Sequence, residues 1–378
     1  MISILPALLI MGTPPSGDAA KAASSMNAFG QDVLSSVLKS EKGNHLFSGL
    51  SAASALTLLW SGSSNQTERE LANGLHLSGV DASAVNANTK ALFDALRSTG
   101  ETTISNAVFL AQGLTLGRDF ATNADEVFGA KVENLSPGAA GVRQINTWVD
   151  GATKHRIPKL IDSLGRNTDL VLTNAVTFDG KWEKAFEESK THPSDFHSSG
   201  GSQSVPTMSQ TAMFGYREFA SYREADLPYK GGRFLMRVLL PTSGSPSAAL
   251  LDRAHQPDGQ TMGIRLDLQL PKFTFGDEIE LKSPLEAIGL GAIFQRGDFT
   301  KMVQRGGPTK VDRVIQKTWI QVDESGTKAA AATGIVMSRA IAVPQRVIQF
   351  HVDRPFAFEI VHSATGAVLF SGVVNRIP

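Results

Sequence analysis

The chain has 378 residues, 36 Lys+Arg against 36 Asp+Glu, a 42% hydrophobic content and no cysteine. That length and apolar fraction suffice for a large core without disulfide staples. Zero net charge leaves no global field to select nucleic acid, an anionic membrane or an acidic substrate, and the missing cysteines exclude disulfides, thiolate metal sites and a cysteine nucleophile.

The N-terminal run MISILPALLIM is followed by Gly12, Pro14, Pro15 and Gly17. It is too short to span a bilayer, which takes about 20 apolar residues. It matches the apolar region of a secretory signal, with Ala20-Lys21-Ala22 as a small-x-small cleavage site, although the preceding basic residues are missing. Residues 1–22 therefore read as a signal peptide or a disordered tail, with a secreted or periplasmic location expected, and residues 23–378 as a single domain.

From Ala19 to Leu38 the positions Ala22, Met26, Phe29, Val33 and Val37 recur at helical spacing. A second helix is expected from Ser51 to Trp60. Thr67 with Glu70 reads as a capping box for a third, with Leu71 and Leu75 on its apolar face. Gly141 to Ile161 holds another, carrying Ile145, Trp148, Val149 and Ala152 on one face. Leu170 to Phe178, LVLTNAVTF, is a long apolar run that suits a central buried strand. Strands are also expected at Phe234–Leu240, Ile264–Leu270, Gln349–Val352, Phe356–Val361 and Ala367–Val374, interrupted by a helix from Leu281 to Leu290. Helices dominate the first third and strands the last half, which argues for an α+β fold.

Asp323 to Phe350 breaks this pattern. After the strand-like Trp319-Ile320-Gln321-Val322, the chain loses every large apolar side chain from Ser325 to Gly334, with four consecutive alanines, Ala329, Ala330, Ala331 and Ala332. A loop this long inside a compact domain is usually functional or disordered. Alanine is a poor strand former but clashes with nothing, so the segment suits insertion into a tight slot. Its alternative is a simple helical extension, since alanine is the best helix former.

Catalytic and cofactor signatures are missing. The eight histidines show no metal-ligand spacing. There is no GxSxG elbow, no GxxxxGK[ST] loop and no GxGxxG after a strand. Ser48 and Ser51 open a helix, where capping is the ordinary role of serine, and no base or elbow turns either into a nucleophile. No enzyme, cofactor or metal site is expected.

Motifs along the chain resemble those of the serpins, serine protease inhibitors consumed by the enzyme they trap. HLFSGLSAASALTLLWSG resembles FSPxSIxxALxMxxLGA, and INTWVDGATKHRIPKLI resembles INxWVxxxTxGKIxxLL. LVLTNAVTFDGKWEKAF follows LVNAIYFKGxWxxxF. VPTMSQ, LPYKGGRFLMRVLLP, LQLPKF, FHVDRPFAFEI and VLFSGVVNRIP complete the order. The resemblance, with a prokaryotic-type inhibitory member, implies three β-sheets, eight or nine helices, a metastable native state and an exposed reactive loop at about 324–346. Cleavage of that loop would let it insert as a strand into the main sheet, with the acyl-enzyme attached.

Residue by residue, the resemblance makes Glu324 the start of the hinge, Gly326 its pivot and Thr327 the first inserted residue. Thr327, Ala329, Ala331, Thr333 and Ile335 would point into the sheet, and Lys328, where the family usually has an acidic residue, would point outward. The reactive bond falls at Ala340-Ile341, sixteen residues beyond Glu324, which suits an elastase-like protease; one residue earlier, Arg339-Ala340 suits a trypsin- or subtilisin-like one, and Met337-Ser338 is a third option. Lys272 would pair with Glu324 above Trp182. Ser48, Ser51 and Asn174 match a polar cluster beneath the sheet, where Gln316 stands for the usual histidine and Gly49 for the usual proline; Gln316 is expected to hydrogen-bond Asn174. The resemblance implies a cofactor helix at Ala82 to Arg97, which holds only Lys90 and Arg97 as cations and so does not support heparin activation. A monomer acting on a serine protease, without nucleic acid or a membrane span, is the expected form.

Overall fold

The computed structural model describes residues 16–39, 43–165, 168, 170–254, 262–303, 310–311, 313–327 and 347–378. The chain opens with α1 (Asp18–Val37), β1 (His45–Phe47), α2 (Gly49–Ser61), α3 (Asn65–Gly74) and α4 (Ala82–Arg97). Then come β2 (Thr102–Ala111), α5 (Arg118–Glu126), β3 (Ala130–Leu135) and α6 (Ala139–Ala152). A strand-rich stretch follows with β4 (Leu170–Phe178), β5 (Gly180–Lys181), β6 (His192–Ser198), β7 (Gly201–Glu218), β8 (Tyr222–Pro228) and β9 (Phe234–Pro241). The remainder holds α7 (Pro246–Ala254), β10 (Met262–Pro271), β11 (Phe273–Glu280), α8 (Lys282–Ala287) and β12 (Ile315–Asp323). Last are β13 (Gly326–Thr327), β14 (Ile348–His351), β15 (Phe356–His362) and β16 (Val368–Val374).

The helices obey their apolar periodicity. Ala22, Met26, Phe29, Val33 and Val37 of α1 are all buried. Helix α2 is buried nearly all round, and its N-cap Ser48 accepts the Ser51 N–H. The small-x-small site Ala20-Lys21-Ala22 lies within the first turns of α1, with Ala22 buried.

Three helical expectations need correction. Helix α3 starts at Asn65 behind Ser64, so Thr67 lies inside it and is no cap. The Thr67 hydroxyl accepts the Asp298 N–H at 2.9 Å, and Glu70 accepts from Gln66 at 2.7 Å. Helix α6 stops at Ala152 instead of reaching Ile161. Lys154 and His155 adopt positive φ of 53° and 63° there, and Asn146 then ties Leu160 and Ile161 back to the helix. The predicted 281–290 helix is the short α8 followed by a 3-10 turn at Gly291–Phe294.

Among the described residues the strands form three sheets. A nine-stranded sheet runs β1-β16-β15-β9-β8-β7-β10-β14, with β6 on β7. A three-stranded sheet runs β3-β2-β4, and a four-stranded one β11-β12-β13-β5. The last two are halves of one surface, since only Asp179 separates β4 from β5. Strand β4 was expected in the centre of a sheet, but it is the edge of its three strands, its far side facing the other half. Its burial comes from α2 beneath and α6 above: Val171 packs into the cluster of Phe109, Ile145 and Val149 on the α6 side, Leu172 and Val176 into the main core.

Candidate functional site: the hinge and the split between two half-sheets

The split begins at β13. Gly326 and Thr327 pair antiparallel with Asp323 and Val322 of β12 on one side, and with Lys181 and Gly180 of β5 on the other. Below this two-residue bridge, neither the inner edge of β12 nor that of β4 has a strand partner among the described residues. The two edges bound a slot below Thr327 that holds no strand among the described residues, headed by the chain that leads into the long loop.

Gly326 is fixed by space and by conformation. Its φ of 151° lies where side chains are strained, and a Cβ there would collide with Gly180 O and sit 2.8 Å from Lys181 Cα. Thr327 is buried, 4% exposed, and its Oγ1 lies 2.6 Å from the Tyr229 hydroxyl. Burial pushes the Tyr229 phenol well above its usual pKa, so it remains a neutral donor and acceptor. Trp182 stacks on Tyr229 at 4.5 Å and 10°, and Phe178 meets Tyr229 edge-on at 4.8 Å. Trp182 Nε1 donates to Asp323 O at 2.9 Å, and its backbone N–H to Ser325 O at 3.0 Å.

Lys272 Nζ lies 2.8 Å from Glu324 Oε2, and the Thr191 hydroxyl donates to Glu324 Oε1 at 2.7 Å. Burial alone would raise the Glu324 pKa. The bonds from Lys272 and Thr191 outweigh it, and the net shift is downward.

Deeper in the split, the start of α2 is tied to both banks. Gln316 on β12 accepts the Ser48 N–H and donates to Ser48 O, each at 2.9 Å. The Ser51 hydroxyl donates to Asn174 Oδ1 on β4, and Asn174 Nδ2 donates to Asn106 Oδ1 at 2.6 Å. Gln316 therefore bonds the Ser48 backbone, which corrects the expected bond to Asn174. The amide of Gln316 is long enough to saturate both peptide groups of the cap, and Asn174 is already filled by Ser51 and Asn106.

Gly49 has its own cause. A Cβ there would lie 2.7 Å from Gly30 Cα, so α1 and α2 touch backbone to backbone where the family's usual proline would stand. Sequence reasoning missed Tyr229, Thr191, Asn106 and Ser54, whose hydroxyl donates to Asn106 Oδ1 at 3.3 Å. Tyr229 could have been found in LPYKGG. Asn106 is one amide inside the apolar run of β2 and carried no signal of its own. The reactive-bond candidates Ala340, Ile341 and Arg339, the run Ala329–Ala332, and Lys328 lie outside the described residues.

Comparison with known proteins agrees with this geometry. The family profile described as serpin (serine protease inhibitor) matches residues 24–377. The chain belongs to the serpin family. Mouse glia-derived nexin is 32% identical over 369 residues, covering 92% of this chain and 91% of that protein. Bovine plasminogen activator inhibitor 1 is 32% identical over 375 residues, covering 93% and 92%. The crystal structure of Serpin48, a highly specific serpin in the insect Tenebrio molitor, superposes with a TM-score of 0.84 at 31% identity, covering 95% of this chain and 98% of that one. In this serpin the split lies between strands β4 and β12, with Gly326 and Thr327 at its head. No described helix is long and apolar enough to cross a membrane.

Proposed function

We propose that this serpin is an irreversible suicide-substrate inhibitor of a serine protease. The protease attacks the loop beyond Thr327, forms an acyl-enzyme at Ala340-Ile341 or at Arg339-Ala340, and is carried off as the freed segment inserts between β4 and β12. The single observation that carries this reading is the pairing of Gly326 and Thr327 between β12 and β5, at the head of β4 and β12 edges that have no strand partner among the described residues. Only small side chains follow on the inward positions Ala329, Ala331 and Thr333, so strand addition meets no bulk. The N-terminal apolar run supports action outside the cytoplasm, and the single-domain, monomeric form is part of the same proposal.

Incubation with an elastase-like and a trypsin-like protease, followed by a denaturing gel, tests it. A covalent complex is expected with one of them. Clean cleavage without a complex would make the protein a binding or chaperone serpin instead. Mass spectrometry of the released C-terminal peptide identifies the bond: an elastase-like target accompanies Ala340-Ile341, a trypsin- or subtilisin-like one Arg339-Ala340.

A further inference from the structure

The segment between α3 and α4 is short and turns sharply, through positive φ at His76 (55°) and Gly79 (77°). That path sets Leu75, Leu77 and Val80 beside α1, α2 and α4. Where the three helices meet, Ala22 of α1 and Ala53 of α2 offer only methyl groups, and a pocket of about 180 Å³ remains. Protein interiors leave few voids larger than a water molecule, so a space of this size is unusual. It exceeds the cavity of about 150 Å³ that takes up benzene in an engineered protein core. Val80, part of its wall, is 41% exposed, so the pocket has a mouth to water.

Two buried hydroxyls interrupt the apolar lining. Thr57 on α2 is 3% exposed and Thr89 on α4 is 2% exposed, and neither side chain has a hydrogen-bond partner among the described residues. A threonine inside a helix often turns its hydroxyl back onto the preceding turn, as Thr153 does to Val149 O at 2.8 Å. Thr57 and Thr89 make no such bond. Each therefore offers a donor and acceptor positions to whatever enters. A buried polar group left unpaired is costly, so a ligand that satisfies it gains more here than at a wet surface. The other polar side chains of the lining stand nearer water. Lys21 is exposed and pairs with Asp18 at 3.0 Å, Ser25 donates to the carbonyls of Lys21 and His76, and Asn88 is half-buried.

We infer that this pocket binds a small apolar molecule carrying one hydroxyl, a phenol or a short-chain alcohol of about seven non-hydrogen atoms. Its apolar body lies against Ala22, Ala53, Leu75 and Val85, and its hydroxyl exchanges hydrogen bonds with Thr57 and Thr89. Binding is reversible, with a Kd on the order of 0.1–1 mM for a ligand of that size. The site shares no residue with the hinge or the split and does not depend on the insertion reading. Because the pocket exists only where the three helices are packed together, occupancy stabilises the folded protein.

Titration calorimetry and thermal unfolding of the full-length protein with phenol, toluene and 1-hexanol test this. Phenol and toluene have nearly the same shape, with a hydroxyl in one where the other has a methyl. Phenol or 1-hexanol should bind and raise the thermal midpoint by about 1–3 °C at ten times its Kd, and the stronger of the two tells whether the pocket takes a ring or a chain. Thr57→Val and Thr89→Val keep the shape of the wall. Each should weaken the hydroxylated ligand about fivefold and leave toluene binding no weaker. Ala53→Leu fills the space and should abolish binding of all three; if that variant does not fold, the two valine variants decide. Failure of both phenol and 1-hexanol to bind at about 10 mM, ten times the weakest Kd expected, overturns the site. Valine variants that bind the hydroxylated ligand as the wild type does, or that lose toluene equally, overturn the role of the hydroxyls. Binding that survives in a folded Ala53→Leu variant overturns the location.

Discussion

His362 shows how a single buried side chain makes this protein sensitive to acid. It is 4% exposed, its Nδ1 lies 2.8 Å from Thr365 Oγ1, and its ring lies 4.9 Å from Phe234. Burial, with the charge of Arg233 adding to it, lowers its pKa from 6.5 to about 4. Between those values the unfolded chain binds a proton that the folded one refuses, so the contribution is complete above pH 6.5 and is lost as pH falls towards 4. The loss amounts to about 3 kcal/mol. Urea midpoints at neutral and acid pH should therefore fall less in His362→Gln than in the wild type; equal losses would contradict the assignment. Glu324 works in the same direction through the opposite charge. Its depressed carboxyl contributes above its unfolded pKa and ceases to contribute as pH falls through the folded value. With Lys272 38% exposed and screened, Glu324→Gln is expected to cost only about 1 kcal/mol at neutral pH. That difference should vanish below the carboxylate range, and a difference that persists there would mean that the pair is not its source.

At the scale of elements, the contact of α1 with α2 gives a prediction whose sign is unusual. Gly→Ala inside a helix ordinarily gains up to about 1 kcal/mol. At Gly49 the new methyl would press on Gly30 Cα, so Gly49→Ala should instead destabilise by about 1–3 kcal/mol. A thermal midpoint that rises would show that the helices can part at little cost. The hinge strand yields a functional counterpart. Thr327 is seated on Tyr229 with no room for a cation, and Thr327→Arg should convert trapping into turnover, read as cleaved serpin without complex on a denaturing gel. Undiminished complex formation would contradict insertion at this residue. Much of this level was legible in the sequence where one period dominated. The buried face of α1 follows the spacing of Ala22, Met26, Phe29, Val33 and Val37, and β4 occupies the whole of Leu170–Phe178. Strand β11 was overlooked although Phe273, Phe275 and Ile279 alternate, because Gly276 and three carboxylates interrupt the run. Strand β7 was overlooked because its first half, GSQSVPTMSQ, is polar and carries a proline. The contact of Lys272 with Glu324 was legible from motif order. The two-sided anchoring of α2 was not, since it depends on which amide reaches Ser48 across 268 positions of sequence.

On the whole-molecule scale, the slot is the source of the expected metastability. Strands β4 and β12 are nine residues long, and among the described residues their inner edges carry no strand partner below the Gly326-Thr327 pairing with β12 and β5. A strand of that length adds on the order of ten hydrogen bonds at about 1 kcal/mol each, enough to raise Tm by roughly 10 °C or more in a chain of this size. Cleavage in the loop should therefore make the serpin more heat-stable, the reverse of what nicking does to most proteins. Amide hydrogen exchange before and after that cleavage tests the central claim most directly. The account predicts that the inner-edge amides of β4 and β12 become strongly protected once the loop is cut, in step with slow exchange over residues 328–335. Inner edges that exchange as fast in the cleaved protein as in the intact one would contradict it.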